Sequence, residues 1–197
     1  MISLVIQAGG RSSRMGTDKG LVQLGDRLMI EHVLAATAGL ADEQLITTNN
    51  PAGYAHLGVP MTGDEQPGAG ALPGLRTALG AARGELVLLV ACDMPFLQRP
   101  VLQKLLDLAD GQDVVVPRWD GQLQTLHAVY RRQPCLSAVD AALAAGQKRM
   151  ISFYDQVRVR EVGAEELAGL GDLSLTFFNA NTPEELDQAE KMLAALE

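Results

Sequence analysis

Residues Gln7 to Lys19 read Gln-Ala-Gly-Gly-Arg-Ser-Ser-Arg-Met-Gly-Thr-Asp-Lys and begin where the apolar run Ile2 to Ile6 ends. Glycines placed directly after a strand turn successive backbone N–H groups toward one point, because glycine enters the φ > 0 geometry that such a concavity needs. Arg11, Arg14 and Lys19 add three cations to the same stretch, so it can hydrogen-bond a chain of phosphates and offset its charge. A nucleoside triphosphate is the expected ligand. The spacing is not that of a Walker A loop, since no Gly-Lys-Ser/Thr closes it, nor does it contain the Gly-x-Gly-x-x-Gly of dinucleotide folds. The plainer alternative is a strand-to-helix turn whose arginines are simply solvated.

Asp93 follows the apolar run Leu86 to Cys92 and precedes Met94-Pro95. A carboxylate at the end of a buried strand, facing a phosphate loop, is placed to hold Mg²⁺, which takes one or two protein carboxylates and completes its shell with water and phosphate oxygens. A turn aspartate is the competing reading. Asp64 opens the stretch Asp64 to Gly74, too rich in glycine and proline for regular structure and able to close over a base or ribose. His32 suits a helix interior, whereas His127 alternates with Leu126 and Ala128 and can face core or pocket. Arg131-Arg132 and Lys148-Arg149 read as solvated basic pairs or as ligands for an anionic second substrate. No Gly-x-Ser-x-Gly and no Cys/His pairing points to acyl transfer.

The elements that must position these residues alternate between strands and helices. Strands are expected at Ile2 to Ile6, Gln44 to Thr48, Leu86 to Ala91, Asp113 to Pro117, Thr125 to Tyr130 and Arg158 to Val162. Helices are expected over Leu28 to Ala38, Leu72 to Ala82, Pro100 to Ala109 and Cys135 to Ala145. Thr182 with Glu185 three residues later forms a capping box that opens a last helix reaching Leu196. Strands apolar throughout demand cover on both faces, which implies a single-domain, doubly wound α/β fold with a mostly parallel sheet. Ligands in such sheets sit beyond the carboxyl ends of the strands, where Gln7 to Lys19, Asn49 to Gly74 and Cys92 to Pro95 all fall.

The 197 residues, 47% hydrophobic, suffice for one well-buried domain. Residues 1–117 are expected to bind nucleotide, and residues 118–197 to receive a second substrate and end in the helix. A net charge of −8 argues against nonspecific binding of nucleic acid or anionic membranes, which makes the cationic loop a local exception. Cys92 and Cys135 fit no metal or redox spacing, and with no membrane-length apolar stretch the expectation is a soluble cytoplasmic protein.

Four motifs together resemble molybdenum cofactor guanylyltransferases: Ala8 to Lys19, Pro67 to Gly74, Cys92-Asp93-Met94-Pro95 and Asn179-Ala180-Asn181-Thr182-Pro183-Glu184. The resemblance runs over nearly the whole chain. The first motif is shared by nucleotidyltransferases, including cytidylyl and sugar-phosphate enzymes, while Ala-Gly-Gly and the terminal Asn-x-Asn-Thr-Pro are similar to the guanylyl branch. It implies a Rossmann-like nucleotidyltransferase that joins GMP from GTP to molybdenum-molybdopterin, with Mg²⁺ as cofactor and acceptor molybdoenzymes or their chaperones as further partners. By motif, Gln7, Ala8, Gly9, Gly10 and Lys19 would bind GTP, Asp64 would contact the nucleotide, and Asp93 would bind GTP and Mg²⁺. Arg14 and Lys19 would stabilise the charge developing on pyrophosphate, and Arg149, Asn179 and Asn181 are the candidates for the pterin substrate. Two positions depart from the pattern: Gln7 stands at a usual leucine, and Thr48 replaces a nucleotide-binding asparagine for which Asn49 or Asn50 could substitute. A nonenzymatic nucleotide-binding adaptor would keep the glycine loop without needing the metal site on Asp93.

Overall fold

A computed structural model describes residues 1–8, 18–63 and 69–196. The chain opens with β1 (Ile2–Gln7), in which Leu4, Val5 and Ile6 have no exposed surface. Successive strand residues point to opposite faces, so a strand buried at consecutive positions must be covered twice. A two-rung hairpin of β2 (Gln23–Leu24) and β3 (Arg27–Leu28) leads into α1 (Met29–Thr37), β4 (Glu43–Thr47), the one-turn α2 (Pro51–Tyr54) and β5 (Met61–Thr62). The second cycle runs through α3 (Ala71–Ala81), β6 (Leu86–Ala91), α4 (Arg99–Asp107), β7 (Val114–Trp119), β8 (Gln122–Leu123), β9 (His127–Arg131) and α5 (Arg132–Ala144). It closes with β10 (Val159–Val162), the short α6 (Ala164–Leu167) and α7 (Leu173–Thr176), and α8 (Pro183–Ala194).

The sheet order is β10-β7-β9-β6-β1-β4-β5, with β8 paired to β7. Pairings of β1 with β4 and β6, of β4 with β5 and of β10 with β7 are parallel, whereas β9 is antiparallel to both β6 and β7. Alternating side chains divide the core. Ile6, Leu88 and Val90 join Val33 of α1 and Leu102 of α4 on one face, and Val5 and Leu89 join Leu75 of α3 and Val139 of α5 on the other. A smaller cluster of Leu24, Met29, Phe96, Ala180 and Ala189 fastens α8 beside the β2–β3 hairpin. From β1 the chain winds outward to β4 and β5, then returns to β6 on the other side of β1. That reversal makes the carboxyl ends of β1 and β6 a topological switch point, beside which open α/β sheets take ligands in a crevice.

Several boundaries differ from those read in the sequence. β9 starts at His127 because Gln124 to His127 form a turn, with the His127 N–H donating to the Gln124 carbonyl at 2.9 Å. α5 begins at Arg132, since Pro134 falls in its first turn, where no backbone donor is required.

Outside the crevice, Asp113 ties β10 to β7. Its buried carboxylate accepts from Arg158 at the backbone N (2.9 Å), Nε (3.0 Å) and Nη2 (2.9 Å). Those hydrogen bonds hold the Asp113 carboxyl below its ordinary 3.8, against the opposing pull of burial. Asp113→Ala is expected to cost about 1.5 kcal/mol in urea unfolding, the low end for a charged hydrogen bond because the guanidinium is largely exposed. A depressed native value means that this contribution is complete above the unfolded carboxyl's titration and fades as the pH falls through the native one. The stability gap between wild type and variant should therefore stay constant from neutrality to about pH 4 and close below it.

Candidate active site

The β1 and β6 ends are aligned by the sheet itself: Gln7 lies opposite Ala91, and the Cys92 N–H donates to the Gln7 carbonyl at 3.1 Å. Asp93 stands one residue further on, its carbonyl accepting the Ala180 N–H at 3.0 Å. Lys19 opens a 3-10 turn, Lys19–Leu21, and its Nζ lies 3.1 Å from Asp93 Oδ2. The same ammonium donates to Asn181 Oδ1. Three segments far apart in sequence thus meet on one cation, with side-chain exposures of 25% for Lys19 and 15% for Asp93. Partial burial makes this pair harder to screen than a surface one, while the open side leaves the ammonium reachable by a ligand.

Asn181 owes its place to the capping box of α8. Glu185 Oε2 accepts the Thr182 N–H at 3.0 Å and also the Asn181 N–H at 2.6 Å, while Thr182 Oγ1 accepts the Glu185 N–H at 3.2 Å. Upstream, Phe177 packs edge-on to His127 at 5.0 Å and against Trp119 at 5.8 Å between ring centroids. The strap from Phe177 to Asn181 is therefore fixed at both ends.

The remaining candidates are distributed as follows. Gln7 presses its Nε2 onto α3, where a Cβ added at Gly74 would stand 2.2 Å away. Its Oε1 is buried with no partner among the described residues. Ala8 continues the β1–β4 ladder, donating to the Thr47 carbonyl at 2.9 Å. Gly9, Gly10, Arg14 and Asp64 lie outside the described residues. Asn179 spends its Nδ2 on the Phe177 carbonyl at 3.0 Å, a turn contact. Arg149 is exposed beside the start of α3, where a Cβ at Gly70 would be 3.6 Å from the Lys148 carbonyl. Thr48 is buried and its Oγ1 accepts the Asn50 N–H at 3.0 Å, while Asn50 Oδ1 caps α2 by accepting the Gly53 N–H at 3.3 Å. Of the two asparagines considered for the position lost to Thr48, Asn49 is the one whose Oδ1 faces Gly63, at 3.9 Å from a Cβ placed there.

His127 faces the core. It has no exposed surface, neither ring nitrogen has a partner among the described residues, and burial pushes it down to about 3, so it packs as a neutral ring. His32 Nε2 is 2.9 Å from the Leu24 carbonyl, and both cysteines are buried free thiols. Tyr54, which no motif marked, is fully buried and donates its hydroxyl to Asp18 Oδ1, next to Lys19. No cluster of three His, Cys, Asp or Glu is present among the described residues. Among the described residues the donors on offer at Lys19 are the Asp93 carboxylate and the Asn181 amide oxygen, a sparse hard-oxygen set suited to Mg²⁺ that keeps waters and takes the rest of its shell from phosphate.

The family of MobA-like NTP transferase domains matches residues 4–159. The chain belongs to that family. It is 38% identical over 188 residues to a probable molybdenum cofactor guanylyltransferase of Pelotomaculum thermopropionicum, covering 95% of this chain and 91% of that protein. It is 32% identical over 193 residues to the molybdenum cofactor guanylyltransferase of Desulfosudis oleivorans, covering 97% and 95%. The crystal structure of molybdopterin-guanine dinucleotide biosynthesis protein A from Archaeoglobus fulgidus superposes with a TM-score of 0.82 over 98% of this chain and 99% of that one, at 24% identity. The protein is accordingly a nucleotidyltransferase rather than a nonenzymatic adaptor, and no described helix is long and apolar enough to cross a membrane.

Asn181→Ala removes one partner of the Lys19 ammonium and leaves the capping box whole, because Glu185 bonds only backbone N–H groups there. Transfer activity, followed by pyrophosphate release, should fall about tenfold, equivalent to about 1.4 kcal/mol, while Tm moves by less than about 3 °C. Glu185→Ala should lower both, with about 1 kcal/mol lost from the cap.

Proposed function

We propose that this protein transfers GMP from GTP to molybdenum-bearing molybdopterin, releasing pyrophosphate and forming the guanine dinucleotide cofactor. The observation that carries the reading is the convergence of Lys19, Asp93 and Asn181 at the carboxyl ends of β1 and β6, in a chain whose full-length relatives are named for guanylyl transfer. A terminal phosphate oxygen of the pterin substrate attacks the α-phosphorus of GTP, the new P–O bond forms, and the bond to the β-phosphate breaks to release pyrophosphate. The nucleophile is already an anion, so positioning and charge stabilisation do most of the work and no general base is required.

In this reading the backbone from Gln7 through Gly10 cradles the phosphates, Asp64 and Asn49 meet the nucleoside side, and Lys19 with Arg14 balances the charge moving onto pyrophosphate. Asp93 would hold Mg²⁺, which when bound neutralises phosphate oxygens and draws them into line. Asn181 couples the pterin-side strap to Lys19, with Asn179 and Arg149 further along that side. The setting is the cytoplasm, with acceptor molybdoenzymes or their chaperones downstream.

Thermal shift with Mg²⁺ tests the base preference. GTP at a hundred times its Kd should stabilise the protein by about 2.7 kcal/mol, with CTP and UTP giving far less; a larger shift with CTP would move the assignment to cytidylyl transfer. Lys19→Ala should cut turnover about a hundredfold or more, the scale of losing a charge-stabilising group, with little change in Tm.

A further inference from the structure

The 3-10 turn that carries Lys19 rests on α2. Leu21 packs so closely on Gly53 that a Cβ there would stand 2.7 Å from Leu21 Cδ1. One residue earlier, a Cβ at Gly20 would meet Tyr54 Oη at 2.5 Å and Cys92 Cβ at 3.3 Å. The turn is thus wedged between Tyr54 and the end of β6, and residue 20 must lack a side chain. Asp18 occupies the position before the turn, where an aspartate ordinarily caps the backbone. Its carboxylate makes no cap hydrogen bond and instead accepts the Tyr54 hydroxyl.

A phenol with no exposed surface needs a partner for its O–H. Core packing alone would be met by phenylalanine. The hydroxyl adds a directional link to the residue immediately before Lys19, and a lysine whose four side-chain torsions are free reaches Asp93 reproducibly only from a fixed backbone. We propose that Tyr54 is a positioning residue for transfer, acting through Asp18 to aim the Lys19 ammonium at the triphosphate; this rests on Lys19 being a phosphate ligand. With no exposed surface, Tyr54 would act without touching either substrate.

The test is a double-mutant cycle of Tyr54→Phe and Asp18→Ala, with Asp18→Asn keeping an acceptor for the hydroxyl. Amide exchange at Leu21 and Val22, whose N–H groups donate to the Asp18 and Lys19 carbonyls at 3.0 and 3.2 Å, reads the turn without nucleotide. Tyr54→Phe should quicken that exchange about tenfold, lower kcat/KM for GTP about tenfold, and leave Tm within about 3 °C. Its effect should vanish in the Asp18→Ala background, and Asp18→Asn should recover part of the activity. An equal loss in both backgrounds, or unchanged exchange at Leu21 and Val22, overturns the proposal. Faster exchange with unaltered GTP kinetics would instead overturn the assignment of Lys19 to the triphosphate.

Discussion

One ammonium group, that of Lys19, ties together three segments that lie far apart in the sequence. It reaches Asp93 at the tip of β6 and Asn181 on the strap leading into α8. The pair itself adds little to stability, because desolvating two charges offsets much of their attraction. Its importance is positional. A cation held beside a carboxylate is a preformed counter-charge, and in the proposed reaction Lys19 would meet the triphosphate while Asp93 would hold Mg²⁺.

Everything around that contact serves to fix it. β6 has Val87 to Val90 wholly buried between α3 and α4, so Asp93 follows directly on a strand held in the core on both faces. The capping box of Thr182 and Glu185 extends one residue past its usual duty to seize the Asn181 N–H. Tyr54 and Gly53 seat the turn from below. A chain of net charge −8 thereby holds a cation at the carboxyl ends of β1 and β6, where open α/β sheets take ligands.

The fold was legible because burial leaves marks in the sequence. Leu86 to Ala91 is apolar at every position, which only a strand covered on both faces requires, and the helices on either side keep their period. What could not be read was direction: an interior strand such as β9 looks the same whether it runs parallel or antiparallel to β6. Short elements were also missed, since the two-residue β2 and β3 and the one-turn α2 are below the length at which periodicity shows. At the site, Asp93 and Lys19 stood out through position and type. The β4–β5 register, which turns Thr48 inward with its N–H on the Thr62 carbonyl at 2.9 Å, likewise leaves no mark in the sequence. Tyr54 gave no signal, because a single aromatic residue in a connecting segment has no spacing to betray it.

The measurement that bears most directly on this account is a crystal structure with a nonhydrolysable GTP analogue and Mg²⁺. It should show the triphosphate across the carboxyl ends of β1 and β6, with Lys19 Nζ about 3 Å from a phosphate oxygen and the metal on Asp93. A triphosphate bound elsewhere, with Lys19 still on Asp93 and Asn181, would contradict it.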